Sequence, residues 1–259
     1  DLALVVVDEQ HRFGVSQRGL LKRKGKESEL LAMTATPIPR SLALTAYGDL
    51  DMSVIKEMPA GRAPIVTAYR TEEKKPEIWN FVRTELAKGR QGYVVYPVIE
   101  ESEKSDLKAA KAEFENLAKI FSEFSIGLLH GKLSGKDKLK VMEKFASGKL
   151  KLLVATSVVE VGLDVSNATL MIVEEAQRFG LAQLHQLRGR VGRGAEKSYC
   201  VLVSPPNISA TAKARVEALT AELDGFKIAE MDLQLRGPGE FLGLRQHGFP
   251  DLKIATLDD

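Results

Sequence analysis

The sequence predicts an α/β protein built on a mostly parallel, doubly wound sheet over about residues 66–205, and three observations predict it. Short apolar runs alternate with amphipathic helical patterns along that span. The runs are apolar at nearly every position rather than every second one, as strands buried on both faces must be. At 259 residues, 44% of them apolar and 28% charged, the chain can also bury the core that such a sheet requires.

The elements follow in order. Residues 74–88 place Ile78, Val82 and Leu86 on one face, with Pro76 suited to a first turn and Gly89 to an end, which predicts a helix. "YVVYPVI" then reads as a buried strand. Leu107, Ala110, Phe114, Leu117 and Phe121 recur at three- and four-residue steps, a second amphipathic helix. "IGLL" is the next strand, and Ser134 can cap a helix whose inner face holds Val141, Met142 and Phe145. "KLLVA", "TLMIV" and "SYCVLV" complete the strands. After them, Ser209 can cap a helix with Val216, Leu219 and Leu223 on one face. Asp224-Gly225 makes a turn, and Phe226, Ala229 and Leu233 begin a second face, so a helical hairpin ends the regular structure. Pro59, Gly61 and Pro64 in "EMPAGRAPIV" break all periodicity and predict a linker before the sheet.

Composition excludes several classes. The start "LALVVV" is short, lacks a preceding basic segment and meets two carboxylates, so it predicts neither a signal peptide nor a spanning helix, and the expected setting is cytoplasmic, with no membrane partner. The single cysteine, Cys200, cannot form an intramolecular disulfide and reads as a packed thiol in a strand. A formal charge of +2 does not by itself imply nucleic acid.

Four segments carry chemistry. "VVVDEQH" ends a buried strand in Asp8 and Glu9; in a nucleoside-triphosphate hydrolase such a pair orients the magnesium shell and the attacking water. "MTATPIPR", "VATSVVEVGLDV" and "HQLRGRVGRG" follow in that order. In the last, glycines 189 and 192 allow close turns, and Arg190 and Arg193 stand three apart on one side of a helical turn. Arginines placed across a cleft can neutralise charge on a γ-phosphate, although a solvated basic turn has the same spacing.

Together the four segments resemble the superfamily-two helicases of DExH type, whose paired RecA-like domains bind ATP between them. The resemblance implies a P-loop NTPase helicase fold that uses ATP and magnesium. It implies that Asp8 holds the metal through water, Glu9 is the catalytic base, and Arg190 and Arg193 complete catalysis. It places Gln10, His11, Thr34, Thr36, Gly162, Asp164 and Gln186 in ATP binding and coupling, and His130 and Thr156 against the DNA backbone. "DGFKIAEMDLQLRGPGEFLG", "DEQHRFGVSQR" and "YPVIEESE" are similar to the bacterial branch-migration members, which remodel stalled forks and Holliday junctions in repair and recombination. Arg215, Arg236 and Gln246 match their translocation module. Branched double-stranded DNA and replication-fork proteins are the partners this implies. A transcription-repair translocase shares the mechanism, and a non-catalytic DNA-binding remnant is the reading from another class.

The expected division is 1–65 as the last part of a first RecA-like domain, 66–205 as the second, and 206–259 as the translocation hairpin and loop. No segment has the form G-x-x-x-x-G-K-[ST]. "GLLKRKGKES" has one residue too many between its glycines and a glutamate where a hydroxyl is needed, so it reads as a solvated basic turn. The sequence is therefore expected to begin inside the first domain, and the polypeptide by itself to hydrolyse no ATP.

Overall fold

The computed structural model describes residues 3–8, 29–34, 51–55, 57, 63–97, 103–156 and 165–236, with the backbone alone for 103–109 and 236. Residues 58–62 of the linker reading, and Glu9, Gln10, His11, Thr36, Gly162, Asp164 and Gln246, lie outside these residues.

Two short parallel strands, β1 (Leu4–Val7) and β2 (Glu29–Ala32), pair with Val7 beside Ala32. Val5 and Val7 are buried while Leu4 and Val6 are exposed, so β1 alternates where a strand covered on both faces was expected. β2 was not anticipated: "ELLA" is too short to show a period.

The main body is a six-stranded, fully parallel sheet. Its strands are β3 (Ile65–Thr71), β4 (Gln91–Tyr96), β5 (Ile126–Leu129), β6 (Leu152–Thr156), β7 (Ala168–Val173) and β8 (Ser198–Ser204), in spatial order β3-β8-β7-β4-β6-β5. The helices are α1 (Lys75–Ala87), α2 (Glu103–Ile120), α3 (Gly135–Ala146), α4 (Leu181–Arg188), α5 (Ala210–Ala221) and α6 (Gly225–Arg236). Pro76 sits in the first turn of α1, where its missing N–H costs nothing, and Gly89 after that helix takes φ +88°. Ser134 and Ser209 cap α3 and α5 by accepting from Asp137 N at 3.1 Å and Ala212 N at 3.2 Å.

The two faces of the sheet explain why its strands are apolar throughout. Val94, Val154, Ile172 and Val203 point to one side with Val82 of α1 and Leu117 of α2. Val95, Leu153, Met171 and Leu202 point to the other, with Phe145 of α3, Leu184 of α4, Val216 of α5 and Ile228 of α6. Each fully buried aliphatic side chain contributes about 1.5–3 kcal/mol. Cys200 is buried in the second layer, and burial pushes its thiol up to about 12, which makes it inert.

Three local expectations need correction. Leu223 is exposed because Glu222 takes an extended conformation that ends α5 before it. The inner face of α6 carries Ile228, Met231 and Asp232 instead of Phe226, Ala229 and Leu233. Finally, α4 stops at Arg188, so Arg190 and Arg193 stand in the following loop, where Gly192 at φ +73° breaks any helical path. Among the described residues no helix is long and apolar enough to cross a membrane.

Candidate functional site

The topology creates two places for chemistry. At the carboxyl edge of the sheet, β4 leads through α2 to β5 on one side, and β7 leads through α4 to β8 on the other, so a crevice opens between them. The second place is the loop after α4, at the opposite edge, from which β8 starts.

Strand register sets the carboxyl edge. Tyr96 pairs with Thr156, and Leu129 pairs with Ala155, so His130 and Thr156, each the next residue along, stand side by side. Both are buried, and Thr156 Oγ1 and His130 Nδ1 have no hydrogen-bond partner. A buried polar atom without a partner costs about 1–3 kcal/mol, and this edge carries two of them. Burial lowers the His130 pKa below its ordinary value, and Lys111, Lys138 and Lys132 reinforce this. The same lysines would attract a phosphate.

The arginine loop is held from three sides. Val191 is fully buried. A Cβ on Gly192 would stand 2.7 Å from Ile65 Cγ1, and one on Gly194 would stand 2.7 Å from Ser166 O, so only glycine fits at either position. The second contact joins the loop to the residues directly after Asp164. Arg190 is half-buried, and Arg193 is exposed, its Nε donating to Gly189 O at 3.4 Å. Gln186 is half-buried on α4. Asp8 and Thr34 are exposed and share the carboxyl end of the β1–β2 pair, where Met33 N donates to Val7 O at 2.7 Å. An exposed carboxylate at that end fits the hydration shell of a magnesium ion.

The hairpin of α5 and α6 is bolted to both ends of α4. Arg215 Nη1 donates to Phe179 O at 3.2 Å and Nη2 to Gln177 O at 3.5 Å, just before α4. At the other end, Arg188 donates to Leu219 O (2.9 Å), Glu222 O (2.7 Å) and Leu223 O (3.2 Å). These oxygens close the carboxyl end of α5 and need such donors. Its Nη2 also meets His185 Nδ1 at 2.9 Å. Arg236 ends α6.

Two family models match the chain: "Helicase conserved C-terminal domain" over 74–195 and "ATP-dependent DNA helicase RecG, domain 3, C-terminal" over 222–259. Curated relatives named ATP-dependent DNA helicase RecG align over 99% of the chain. They are 54% identical in Synechocystis sp., 52% in Thermotoga maritima and 49% in Bacillus subtilis. This chain belongs to the RecG family. It spans 31%, 33% and 38% of the length of those three RecG relatives. The structure of RecG bound to a three-way DNA junction superposes with TM-score 0.78 at 47% identity, over 100% of this chain and 33% of that one. Yeast Dbp5 bound to RNA and ADP BeF3 shares the fold, with TM-score 0.58 at 15% identity over 91% of this chain and 64% of that one. The RecG relatives bear the helicase name and not that of a transcription-repair factor.

Within this RecG-type fold, sequence reasoning missed His185 and Arg188. Burial, with a further push from Arg188 and partly offset by Asp224, lowers the His185 pKa to about 4. Neutral His185 is therefore part of the folded state, while the unfolded chain takes up its proton near 6.5. The resulting stability is present above pH 6.5 and is lost as pH falls towards 4, with an upper magnitude of about 3 kcal/mol. Urea melts at pH 7.5 and 4.5 should show this loss. His185→Gln should flatten the dependence, and an unchanged slope would contradict the assignment.

Proposed function

We propose that the chain is the motor portion of an ATP-dependent double-stranded DNA translocase that remodels branched DNA, stalled forks and Holliday junctions included, in cytoplasmic repair and recombination. The observation that carries this reading is the likeness to the RecG bound to a three-way DNA junction. Asp8 would hold magnesium through water and Glu9 would act on the attacking water, with Gln10, His11, Thr34, Thr36, Gly162, Asp164 and Gln186 around the nucleotide. Bound ATP with its metal supplies the phosphoryl chemistry. Arg190 and Arg193 would stabilise the charge that develops on the transferred phosphoryl group, and the buried Val191 between them limits their motion.

On the DNA side, His130 and Thr156 offer neutral groups that can bond a backbone oxygen without reading sequence. Because Arg188 and Arg215 tie the hairpin to α4, a shift of the arginine loop on ATP hydrolysis would carry α6, with Arg236 at its end, along with it. The 259 residues contain no phosphate loop, so by themselves they turn over no ATP in this reading.

The test joins this chain to the remaining part of the Bacillus subtilis relative. The chimera should unwind a forked duplex with ATP. Thr156→Val removes an unpartnered buried hydroxyl at constant shape, so it should not lower the melting temperature, and should raise it if anything, while lowering fork-stimulated turnover by about tenfold. A folded chimera without unwinding, or full turnover in the variant, would sink the proposal.

A further inference from the structure

The crevice between β4 and β7 contains a cavity of about 320 Å³ at the carboxyl edge of the sheet, walled by α2 and the start of α1. Its charged lining is Glu72, Glu113, Glu174 and Glu175 against Lys75 and Arg178. Lys75 Nζ binds Glu174 Oε2 at 3.1 Å, Arg178 binds Glu175 at 2.9 Å, and Tyr96 OH donates to Glu113 at 3.3 Å. Glu174 is 2% exposed, and its Oε1 has no hydrogen-bond partner. A buried carboxylate oxygen without a donor is costly, and this one lines an open cavity of ligand size.

The chemistry of the lining narrows the ligand. A surplus of carboxylates repels a phosphate or a DNA strand. Among the described residues no three metal-ligating side chains converge, which argues against a divalent cation. What remains is an organic cation whose donors can reach more than one carboxylate. Tyr96, Pro97, Val203 and Pro205 give the cavity apolar walls. A guanidinium suits them better than an ammonium, because it is planar, weakly hydrated and stacks on aromatic rings.

We infer that this cavity is a binding site for a guanidinium group supplied by another molecule, seated between Glu174 Oε1 and Glu113 beside the Tyr96 ring. An arginine presented by a partner protein is the biological form of such a ligand. Neither His130 nor Thr156 lines this cavity, although its wall residue Tyr96 pairs with Thr156 in the sheet.

The probe is N-ethylguanidinium, titrated into the chain and followed by the amide resonances of Tyr96, Glu174 and Glu175. Saturable shifts are expected, with ethylammonium at least about fivefold weaker and magnesium chloride without saturable effect. Glu174→Gln keeps the shape but removes the charge and should weaken binding by about tenfold. Should that variant fail to fold, Glu113→Gln, on the outer wall, should weaken binding by about threefold with an unchanged melting temperature. No saturable shift in the wild-type chain, an equal response to magnesium, or undiminished binding in the folded variants would overturn the proposal.

Discussion

Arg188→Ala is expected to destabilise the fold by about 3–5 kcal/mol, because it strips donors from three carbonyls at the end of α5 and leaves a void beneath them. Arg188 is buried, so water cannot replace those donors readily. Arg188→Met fills much of the void without restoring a donor, and it should recover less than about half of the loss. Urea denaturation measures both. Hydrogen exchange adds a local readout, since amides of α5 and α6 should lose protection before those of β6 and β7. A loss below about 1 kcal/mol, or uniform loss of protection across the chain, would mean that Arg188 does not clamp the hairpin.

Arg193→Ala should reduce the single-turnover rate of ATP hydrolysis by about 10³-fold in the chimera with the Bacillus subtilis relative, with less than about tenfold loss of affinity for a non-hydrolysable analogue. The contrast follows from where the charge is needed. An arginine that acts on the transferring phosphoryl group contributes mainly in the transition state, whereas one that anchors ground-state phosphates would raise the dissociation constant. The exposed side chain of Arg193 stands on a loop held by Val191, Gly192 and Gly194, so truncating it should not unfold the loop. Normal turnover in the variant would remove Arg193 from the catalytic set.

The sheet was legible because its strands are covered on both sides. Burial on two faces demands apolar residues at successive positions, and "LLVA", "TLMIV" and "CVLV" show that demand directly. The helices on its first face were legible from spacing alone, as Ile78, Val82 and Leu86 illustrate. The hairpin was less so. Two helices, α4 and α5, pack against α6, and a buried acid, Asp232, lies on its inner face, where a pattern of apolar residues cannot reveal it. The arginine loop was located but misread in conformation, since "RGRVGR" fits a helical turn until the positive φ of Gly192 is known. Arg188 left a signal that went unread. Leu181, Leu184, His185 and Arg188 occupy one helical face, and polar residues within a buried stripe are either paired or absent. Glu174 left none, because an acid at a strand end looks the same whether it meets solvent or closes a cavity.

Across the joint between α4 and the hairpin, every acceptor that Arg188 and Arg215 reach is a main-chain carbonyl. The side chains at Leu219, Leu223, Gln177 and Phe179 therefore accept no hydrogen bond from the arginines, and that of Glu222 adds only charge attraction to Arg188. Coordinated change between these positions and the two arginines is not required to keep the joint intact during divergence. The hairpin is accordingly a transplantable part within limits: exchanged for one of equal length that keeps Arg215 and the buried Val216, Leu219 and Ile228 but differs elsewhere, it should seat on the Arg188 guanidinium group and return its own to the carbonyls of Gln177 and Phe179.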